Sequence, residues 1–332
     1  MSSLFKKIFR IGLPFLLGLG ILWWMYRDTS GEVFLDSIFH QTDWRWMGLS
    51  LLFGIVPQVI RALRWQQALE PLGEKPRRSV CVNSIFVSYA ASLIIPRSGE
   101  VTRCATLKRM DGVSFTKSLG TVVTERLIDS VLMLIFTGIA FLWQLPVFLR
   151  FLRTTGFNVG DLARQFSTTG YLVTVLCLLA AVLLAYILVR GLKLFRKGHD
   201  LLRDVISGVL SLKKVRNLPL YFLYSVLIWV GYFLHFYIAF FCFDATSGIL
   251  PDEAFLIFCV GSFAVLVPTP NGAGPWHFAV KTMLVLYGVA EEPAVMFALV
   301  VHTVQTALVV LLGIYGWAQL NTTRRIPAAE KK

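Results

Sequence analysis

Two arginines at the end of an apolar block have the type and spacing to bind a phosphate. Arg61 and Arg64 lie three positions apart, so a helix places both side chains on one face. A guanidinium group binds phosphate oxygens through two parallel hydrogen bonds, which suits a lipid phosphate. The alternative is that both side chains extend to the headgroup layer of a membrane. Spacing alone leaves both interpretations open.

A second group of ionisable residues combines both signs of charge. Its members are Arg97, Glu100, Arg103, Glu125, Arg126 and Asp129. Two carboxylates on one helix face, such as Glu125 and Asp129, repel each other unless cations pair with them. Ionisable residues at bilayer depth cost roughly 2.5–3.5 kcal/mol each on insertion scales, and they usually face a cavity or each other. The group predicts a buried ion network lining a headgroup cavity; a purely structural network is the alternative.

Three histidines lie in or beside apolar sequence, and imidazole titrates near neutral pH. Counting at about 1.5 Å per helical residue from the outer surface places His235, His302 and Lys281 at similar depths. His277 precedes Lys281 by one helical turn. This pattern makes His235, His277 and His302 candidates for proton coupling, with hydrogen-bonded structural histidines as the alternative.

Residues 268–275 read PTPNGAGP and precede an apolar helix. Pro270 removes a backbone donor, whereas Gly272 and Gly274 permit tight turns with positive φ. Free backbone N–H groups near a helix start attract anions. Together with Lys281, the turn is therefore a candidate phosphate site.

The elements that must position these residues are strongly apolar. The 332-residue chain is 56% hydrophobic and 15% charged, with mean hydropathy +0.68, whereas soluble domains are about a quarter charged. Several apolar blocks approach the ~20 residues of a spanning helix. The net charge of +13 comes from basic residues flanking these blocks, a feature of membrane topology and not of nucleic-acid binding. The five cysteines are scattered and lack metal-ligand spacing, so they indicate neither disulfides nor a structural metal. No cofactor is predicted, and a metal bound by the histidines is the weaker alternative to proton coupling.

Charge asymmetry separates full spans from hairpins. If every block crossed, segment 190–219 with its eight basic residues would lie outside, against the positive-inside rule. If residues 80–117 return to the cytoplasm and residues 254–290 return outside, the cytoplasmic segments hold 25 basic and 7 acidic residues, and the outer segments 5 and 10. This predicts an all-α polytopic membrane protein with six full spans, two re-entrant helical hairpins and cytoplasmic termini. Ordinary surface loops are the alternative to the hairpin breaks.

The order span, span, hairpin, span then occurs twice with opposite orientation. Such an inverted-topology repeat is common in transporters whose site lies near the bilayer midplane. The predicted halves are about 1–150 and 165–320, within a single integral membrane domain of 1–332. The first block, 11–26, ends in aromatic residues, so a retained anchor is favoured over a cleaved signal peptide.

Three ordered motifs resemble the membrane region of the lysylphosphatidylglycerol synthase/flippase family. They are RALRW at 61–65, PRSGEVTR at 96–103 with TERLID at 124–129, and PTPNGAG at 268–274. The resemblance extends over about residues 10–318. It implies a stand-alone module that translocates or handles lipid, without the aminoacyl-transferase domain of bifunctional members.

Two positions depart from the family pattern. Members often have a glutamate shortly after the glycine-rich turn and an arginine in the last span, where this chain has Trp276-His277 and His302. Two histidines in place of an ion pair change both charge and pH response. The resemblance therefore does not carry over the identity of the substrate.

The sequence predicts a flippase-like transporter in the cytoplasmic (inner) membrane. Its expected partner is a membrane lipid with an anionic or phosphate-containing headgroup, and no nucleic acid. The alternative is an accessory subunit of a lipid-modifying synthase. A membrane-embedded transferase is less favoured, and the chain is predicted not to be an enzyme, because the sequence has no D-x-D in an outer loop and no H-E-x-x-H.

Overall fold

In a computed structural model, the chain is a bundle of helices of unequal length. The structure describes residues 16, 18–27, 30–96, 98–145, 215–267 and 269–326. The helices α1 to α10 in these ranges are 18–26, Gly31–Asp36, Trp44–Leu69, Arg78–Ile94, Gly99–Asp111, Phe115–Trp143, Leu218–Ala239, Pro251–Ala264, Pro275–Leu286 and Glu291–Thr322.

Four of these helices are long and apolar enough to cross a membrane. They are α3 with its following turn, α6, α7 with its following turn, and α10, and they contain 25 to 32 residues against the ~20 required. α6 also exposes large apolar side chains at helical spacing, including Leu127, Val131, Leu134 and Ile135. Such a stripe is suited to lipid chains. The predicted class, an all-α polytopic membrane protein, is confirmed.

The number of spans stays a prediction. Of the six predicted spans, the fourth, at 171–189, lies outside the described residues, and the first, at 11–26, is described only in part. The orientation of the termini also stays a prediction.

The first predicted hairpin contains two short helices that pack against each other. α4 has 17 residues and α5 has 13, so each is shorter than a full span. At the break, Ser98 Oγ donates to the carbonyl of Ala91 at 2.9 Å, and the Gly99 N–H donates to Ser92 Oγ at 3.1 Å. These serines satisfy backbone groups that lipid leaves without partners.

The second predicted hairpin has the same organisation with a longer connection. α8 has 14 residues and α9 has 12, and the two helices pack together. The chain between them turns through Asn271, Gly272 and Gly274, with φ of 52°, 72° and 90°. Glycine adopts positive φ without strain, and asparagine tolerates it better than most residues. The glycines predicted from sequence are therefore required by the turn; Pro268 lies outside the described residues.

The two halves of the chain pack together along α3 and α7. Gly54 of α3 lies under the ring of His235 on α7, and Gly231 of α7 lies under Pro57 on α3. A Cβ at either glycine would collide with the opposing ring. Small residues permit this close approach of membrane helices.

Each hairpin packs against a long helix of the other half of the chain. α4 packs on α10, and α8 packs on α6, so each hairpin contacts the last long helix of the other half. This reciprocal packing is what an inverted repeat predicts. The repeat and its limits stay predictions, because the boundary between the halves falls in residues 146–214, outside the described residues.

Candidate functional site

α3, α5 and α6 meet at a buried cluster of charges. This cluster, called the ion network below, consists of Arg61, Arg64, Arg103, Glu125 and Asp129. Arg61 Nη1 lies 2.9 Å from Oδ2 of Asp129, and Arg64 Nη1 lies 2.8 Å from Oδ1. Each oxygen of Asp129 therefore has its own guanidinium partner. Arg64 Nη1 also donates to Ser225 Oγ on α7 at 3.0 Å, which ties the network to the other half of the chain.

Glu125 is the second anion of the network and is fully buried. Its Oε2 lies 2.8 Å from Arg103 Nη2, and its Oε1 lies 3.4 Å from Arg64 Nε. Three arginines thus face two carboxylates, which leaves one positive charge in excess among the described residues. Arg97, predicted to belong to this group, lies outside them.

Aromatic rings enclose the three arginines. Arg103 Cζ lies 4.6 Å from the centroid of the Trp65 ring, at cation–π distance, and Trp65 Nε1 donates to Thr121 Oγ1. Tyr232 and Tyr221 face Arg61 and Arg64 at slightly under 6 Å. These buried arginines hold carboxylates inside the bundle, as the predicted ion network requires. Binding of a lipid phosphate by Arg61 and Arg64 stays a prediction.

One further ion pair lies at the edge of this network. Arg126 Nε donates to Glu100 Oε1 at 2.7 Å, which joins α6 to α5. Unlike the network, both side chains are substantially exposed, at 48% and 37%. Arg126 Nη1 also lies 4.0 Å from Oδ2 of Asp129. Of the predicted arginines that are described, Arg126 is therefore the most accessible to a ligand.

The glycine-rich turn is anchored to α10 by a ring of neutral hydrogen bonds, called the turn anchor below. Asn271 Nδ2 donates to Thr306 Oγ1 at 2.8 Å, and Thr306 Oγ1 lies 3.4 Å from His302 Nδ1. His302 Nε2 lies 3.1 Å from the carbonyl oxygen of Asn271, so that nitrogen carries the proton. Neutral imidazole then accepts at Nδ1, and the ring closes with every donor matched to an acceptor.

His277 supports the turn from its other side. The Gly274 N–H donates to His277 Nδ1 at 3.3 Å, and the rings of His277 and His302 lie 4.3 Å apart. Both histidines accept at Nδ1 here, so both are neutral in this arrangement. Protonation of either would turn the acceptor into a donor and remove a hydrogen bond. Their role in proton coupling stays a prediction.

The backbone of the turn is committed to internal hydrogen bonds. The Gly272 N–H donates to Thr269, and the Ala273 N–H donates to Pro270. With the Gly274 N–H bound to His277, three backbone donors of the turn have partners within the protein, and an anion site at the turn stays a prediction. Pro270, Gly272 and Gly274 therefore shape the turn in this arrangement.

His235 and Lys281 have hydrogen-bonding partners other than the two histidines in contact. His235 Nδ1 lies 2.6 Å from the carbonyl oxygen of Ser50 on α3, so Nδ1 carries the proton and Nε2 is an acceptor. Lys281 forms an ion pair with Glu291 at the start of α10. That His235, His302 and Lys281 meet at one depth stays a prediction.

A central cavity lies between the ion network and the glycine-rich turn. Its large lobe, of about 440 Å³, has a polar wall that includes Arg126, Asp129 and Ser130, and an apolar wall that includes Trp229 and Phe258. This volume lies within the ~300–1,000 Å³ of ligand pockets. A mixed polar and apolar lining suits an amphiphile.

A small lobe of about 210 Å³ adjoins the large one. Both lobes share Tyr232, His235, Val265, Asn271, Trp276 and Gln305. The small lobe adds Gln58, Tyr89 and His302 to these. The predicted residues on the cavity wall are thus Arg126, Asp129, His235 and His302.

Sequence reasoning missed three polar residues of the small lobe, Gln58, Tyr89 and Tyr232. Gln58 lies three positions before Arg61, and Tyr232 lies three positions before His235, so each shares a helix face with a residue that was singled out. Tyr89 forms a hydroxyl–hydroxyl contact of 2.8 Å with Tyr232. Polar groups at helical spacing from a charged or histidine residue are the signal that finds Gln58 and Tyr232; no comparable signal marks Tyr89.

The amino-acid sequence matches a known family and several of its relatives. The family profile of the lysylphosphatidylglycerol synthase TM region matches residues 11–313. A UPF0104 membrane protein of Methanothermobacter thermautotrophicus is 22% identical, over 93% of this chain and 92% of the relative. A UPF0104 membrane protein of Pyrococcus horikoshii is also 22% identical, over 93% and 95%.

A third relative is longer than this chain. Glycosyltransferase AglD of Haloferax volcanii is 22% identical, over 90% of this chain and 52% of the relative. No solved structure matches the chain.

Proposed function

Because the chain belongs to the lysylphosphatidylglycerol synthase transmembrane-region family, we propose that it moves a lipid with a phosphate-containing headgroup across the cytoplasmic membrane. The multi-pass membrane fold is the premise of this proposal. The chain acts as a transporter and not as an enzyme, its partner is the lipid and no nucleic acid, and both termini are cytoplasmic.

The observation that carries the proposal is the lining of the large lobe. Arg126 reaches this lobe and is 48% exposed, and its guanidinium group suits a phosphate. The rings of Trp229 and Phe258 border the same space and suit the apolar part of the lipid. A headgroup thus faces a polar wall with an accessible guanidinium group, and the lipid body faces an apolar wall.

The ion network holds this wall in place and contributes a positive electrostatic potential to it. Its excess positive charge lies directly behind Asp129, which lines the lobe. Positive potential in a cavity of low dielectric raises the local concentration of an anion. The buried arginines therefore support anion binding without contacting the phosphate.

The test is translocation by the purified chain in phosphatidylcholine vesicles. A trace of phosphatidylglycerol labelled on its acyl chain reports movement through quenching from outside. Loss of a charge-assisted hydrogen bond is worth about 1.5–3 kcal/mol, so Arg126→Ala should slow movement roughly tenfold to a hundredfold. Arg126→Lys, which keeps the charge, should retain part of the rate.

Arg109→Ala is the matched control. Arg109 is exposed at the end of α5 and is not among the residues that line either lobe. Equal rates for Arg126→Ala, Arg109→Ala and the unchanged chain would exclude the large lobe as the path. Rates equal to those of empty vesicles for the unchanged chain would exclude transport by this chain alone.

A second candidate function is that of an accessory subunit for a lipid-modifying enzyme. It is favoured by the match to half of a longer protein named as a glycosyltransferase. This candidate expects no movement of lipid by the chain alone, and restored movement or product formation when the purified enzyme partner is added to the same vesicles.

A further inference from the structure

The two lobes of the central cavity differ in charge. The large lobe includes Arg126 and Asp129, whereas the described residues that line the small lobe include no Asp, Glu, Lys or Arg. Its polar groups are instead carboxamides, phenols and imidazoles. A phosphate or an ammonium group placed there would lack a counter-ion on the wall, so the small lobe suits an uncharged ligand group.

Two carboxamides of this lobe have unused hydrogen-bonding atoms. Gln58 Oε1 and Gln305 Nε2 are buried and have no hydrogen-bond partner among the described residues. Gln58 Nε2 donates to the carbonyl oxygen of Gly54 at 3.3 Å, which orients its Oε1 as an acceptor. Because unpaired buried polar atoms cost about 1–3 kcal/mol each, a bound group or water must satisfy them.

His235 and the Tyr89–Tyr232 pair supply further hydrogen-bonding atoms to the small lobe. His235 binds Ser50 through its Nδ1 proton, which leaves Nε2 as an acceptor beside Gly54, and both residues line the small lobe. Tyr89 and Tyr232 share one hydrogen bond between two hydroxyl groups, so one phenolic proton of the pair is left to donate. The lobe thus offers acceptors at Gln58 and His235, and donors at Gln305 and the tyrosine pair.

This balance of donors and acceptors discriminates between ligand groups. An ammonium group needs acceptors, and a phosphate needs donors, whereas a hydroxyl group both donates and accepts. The indole of Trp276 adds an apolar face to the same lobe. With about 210 Å³ of space, the lobe suits one compact group with several hydroxyls.

We propose that the small lobe binds an uncharged polyhydroxyl group, such as a sugar or inositol ring, on the headgroup of the transported lipid. The inference rests on the proposed function, because the adjoining large lobe takes the phosphate that links this ring to the lipid. The transported class is then a phospholipid whose phosphate carries a polyhydroxyl ring, and not one that carries an amine.

The test measures binding, so that it does not depend on transport. The detergent-solubilised chain is mixed with equal amounts of phosphatidylinositol and phosphatidic acid of identical acyl chains, and native mass spectrometry counts the bound lipids. Phosphatidylinositol should predominate. Since a neutral hydrogen bond contributes about 0.5–1.5 kcal/mol, Gln58→Met and Gln305→Met should each lower the bound ratio roughly threefold to tenfold.

Gln319→Met is the control on the same helix as Gln305. It lies 14 residues further along α10, about 21 Å by the helical rise, and its side chain is exposed. This variant should keep the ratio of the unchanged chain. Equal binding of the two lipids, or a ratio that neither Gln58→Met nor Gln305→Met lowers, would overturn the proposal and assign the lobe to water.

A competition experiment tests whether the ring binds by itself or only as part of the intact lipid. Free inositol that displaces phosphatidylinositol would show that the ring alone suffices, and preference without displacement would assign the ring to the intact lipid; both results support the proposal. A preference for phosphatidylinositol without translocation of acyl-labelled phosphatidylinositol in the same vesicle assay would contradict the proposed transport and leave the assignment of the lobe intact.

Discussion

The two hairpin breaks are held in the bundle by different chemistry. Beside the first break, the ion network joins α3, α5 and α6 through charged pairs at 2.8–3.4 Å, with nearly complete burial of each member. At the second break, the turn anchor joins the glycine-rich turn to α10 through neutral groups at 2.8–3.4 Å. One break is thus supported by ions and the other by amide, hydroxyl and imidazole groups.

This difference explains why the cavity between the breaks is asymmetric. The ion network places the carboxylate of Asp129 on one wall, and the adjoining Glu100–Arg126 pair places an accessible arginine there, whereas the turn anchor places uncharged polar groups on the other wall. A ligand that spans the cavity therefore needs one anionic part and one neutral polar part. The difference also predicts that substitutions in the ion network lower the stability of the protein more than substitutions in the turn anchor do.

The largest effect is expected from Glu125→Gln in the ion network. This near-isosteric change leaves Arg103 and Arg64 without their buried carboxylate, and breaking a buried pair costs about 3–5 kcal/mol. The midpoint of thermal unfolding in detergent should fall steeply. The control is Glu100→Gln, whose partner Arg126 is exposed, with an expected loss below ~1 kcal/mol. Equal losses would mean that the Glu100–Arg126 pair is as poorly hydrated as the network.

An intermediate effect is expected from His302→Phe in the turn anchor. The substitution keeps a flat ring but removes the hydrogen bonds to Asn271 and Thr306, which leaves neutral groups unpaired at about 1–3 kcal/mol. The same unfolding measurement reports the loss. His40→Phe, at a histidine that is 76% exposed, serves as the control. A loss as large as that of Glu125→Gln would contradict the distinction between a charged and a neutral support.

The smallest effect is expected from Lys281→Met, which tests whether any charge supports the second hairpin. Lys281 pairs with Glu291, whose side chain is 73% exposed, so the loss should stay within ~1 kcal/mol. Glu291→Gln should give the same loss, and the double variant should add little. A loss of several kcal/mol would show that the second hairpin also depends on a desolvated ion pair.

Much of the fold was predictable from one sequence. Apolar blocks and flanking charges indicated an all-α membrane protein, and the structure confirms this class with four long apolar helices. The motifs at 96–100 and 268–275 indicated helix breaks, and α4 and α8 end just before them. These predictions succeed because proline, glycine and hydropathy act over a few neighbouring residues.

The candidate site was predictable in its membership and not in its arrangement. Arg61, Arg64 and Arg126 all had the chemistry to bind a phosphate, yet Arg126 alone among them lines the cavity. Likewise, His277 and His302 meet, whereas His235 bonds to Ser50. Helical spacing determines which residues share a face, but it does not determine which helix that face meets.

The sequence by itself determined that this protein lies in a membrane. It also determined where the helices break and which types of charge lie beside the breaks. The tertiary structure decided which charges are compensated and which remain open to a ligand. The reason is distance along the chain: Arg61 is joined to an aspartate 68 residues away, and Asn271 is joined to a threonine 35 residues away. Such pairs depend on how whole helices pack, and local periodicity does not encode that packing.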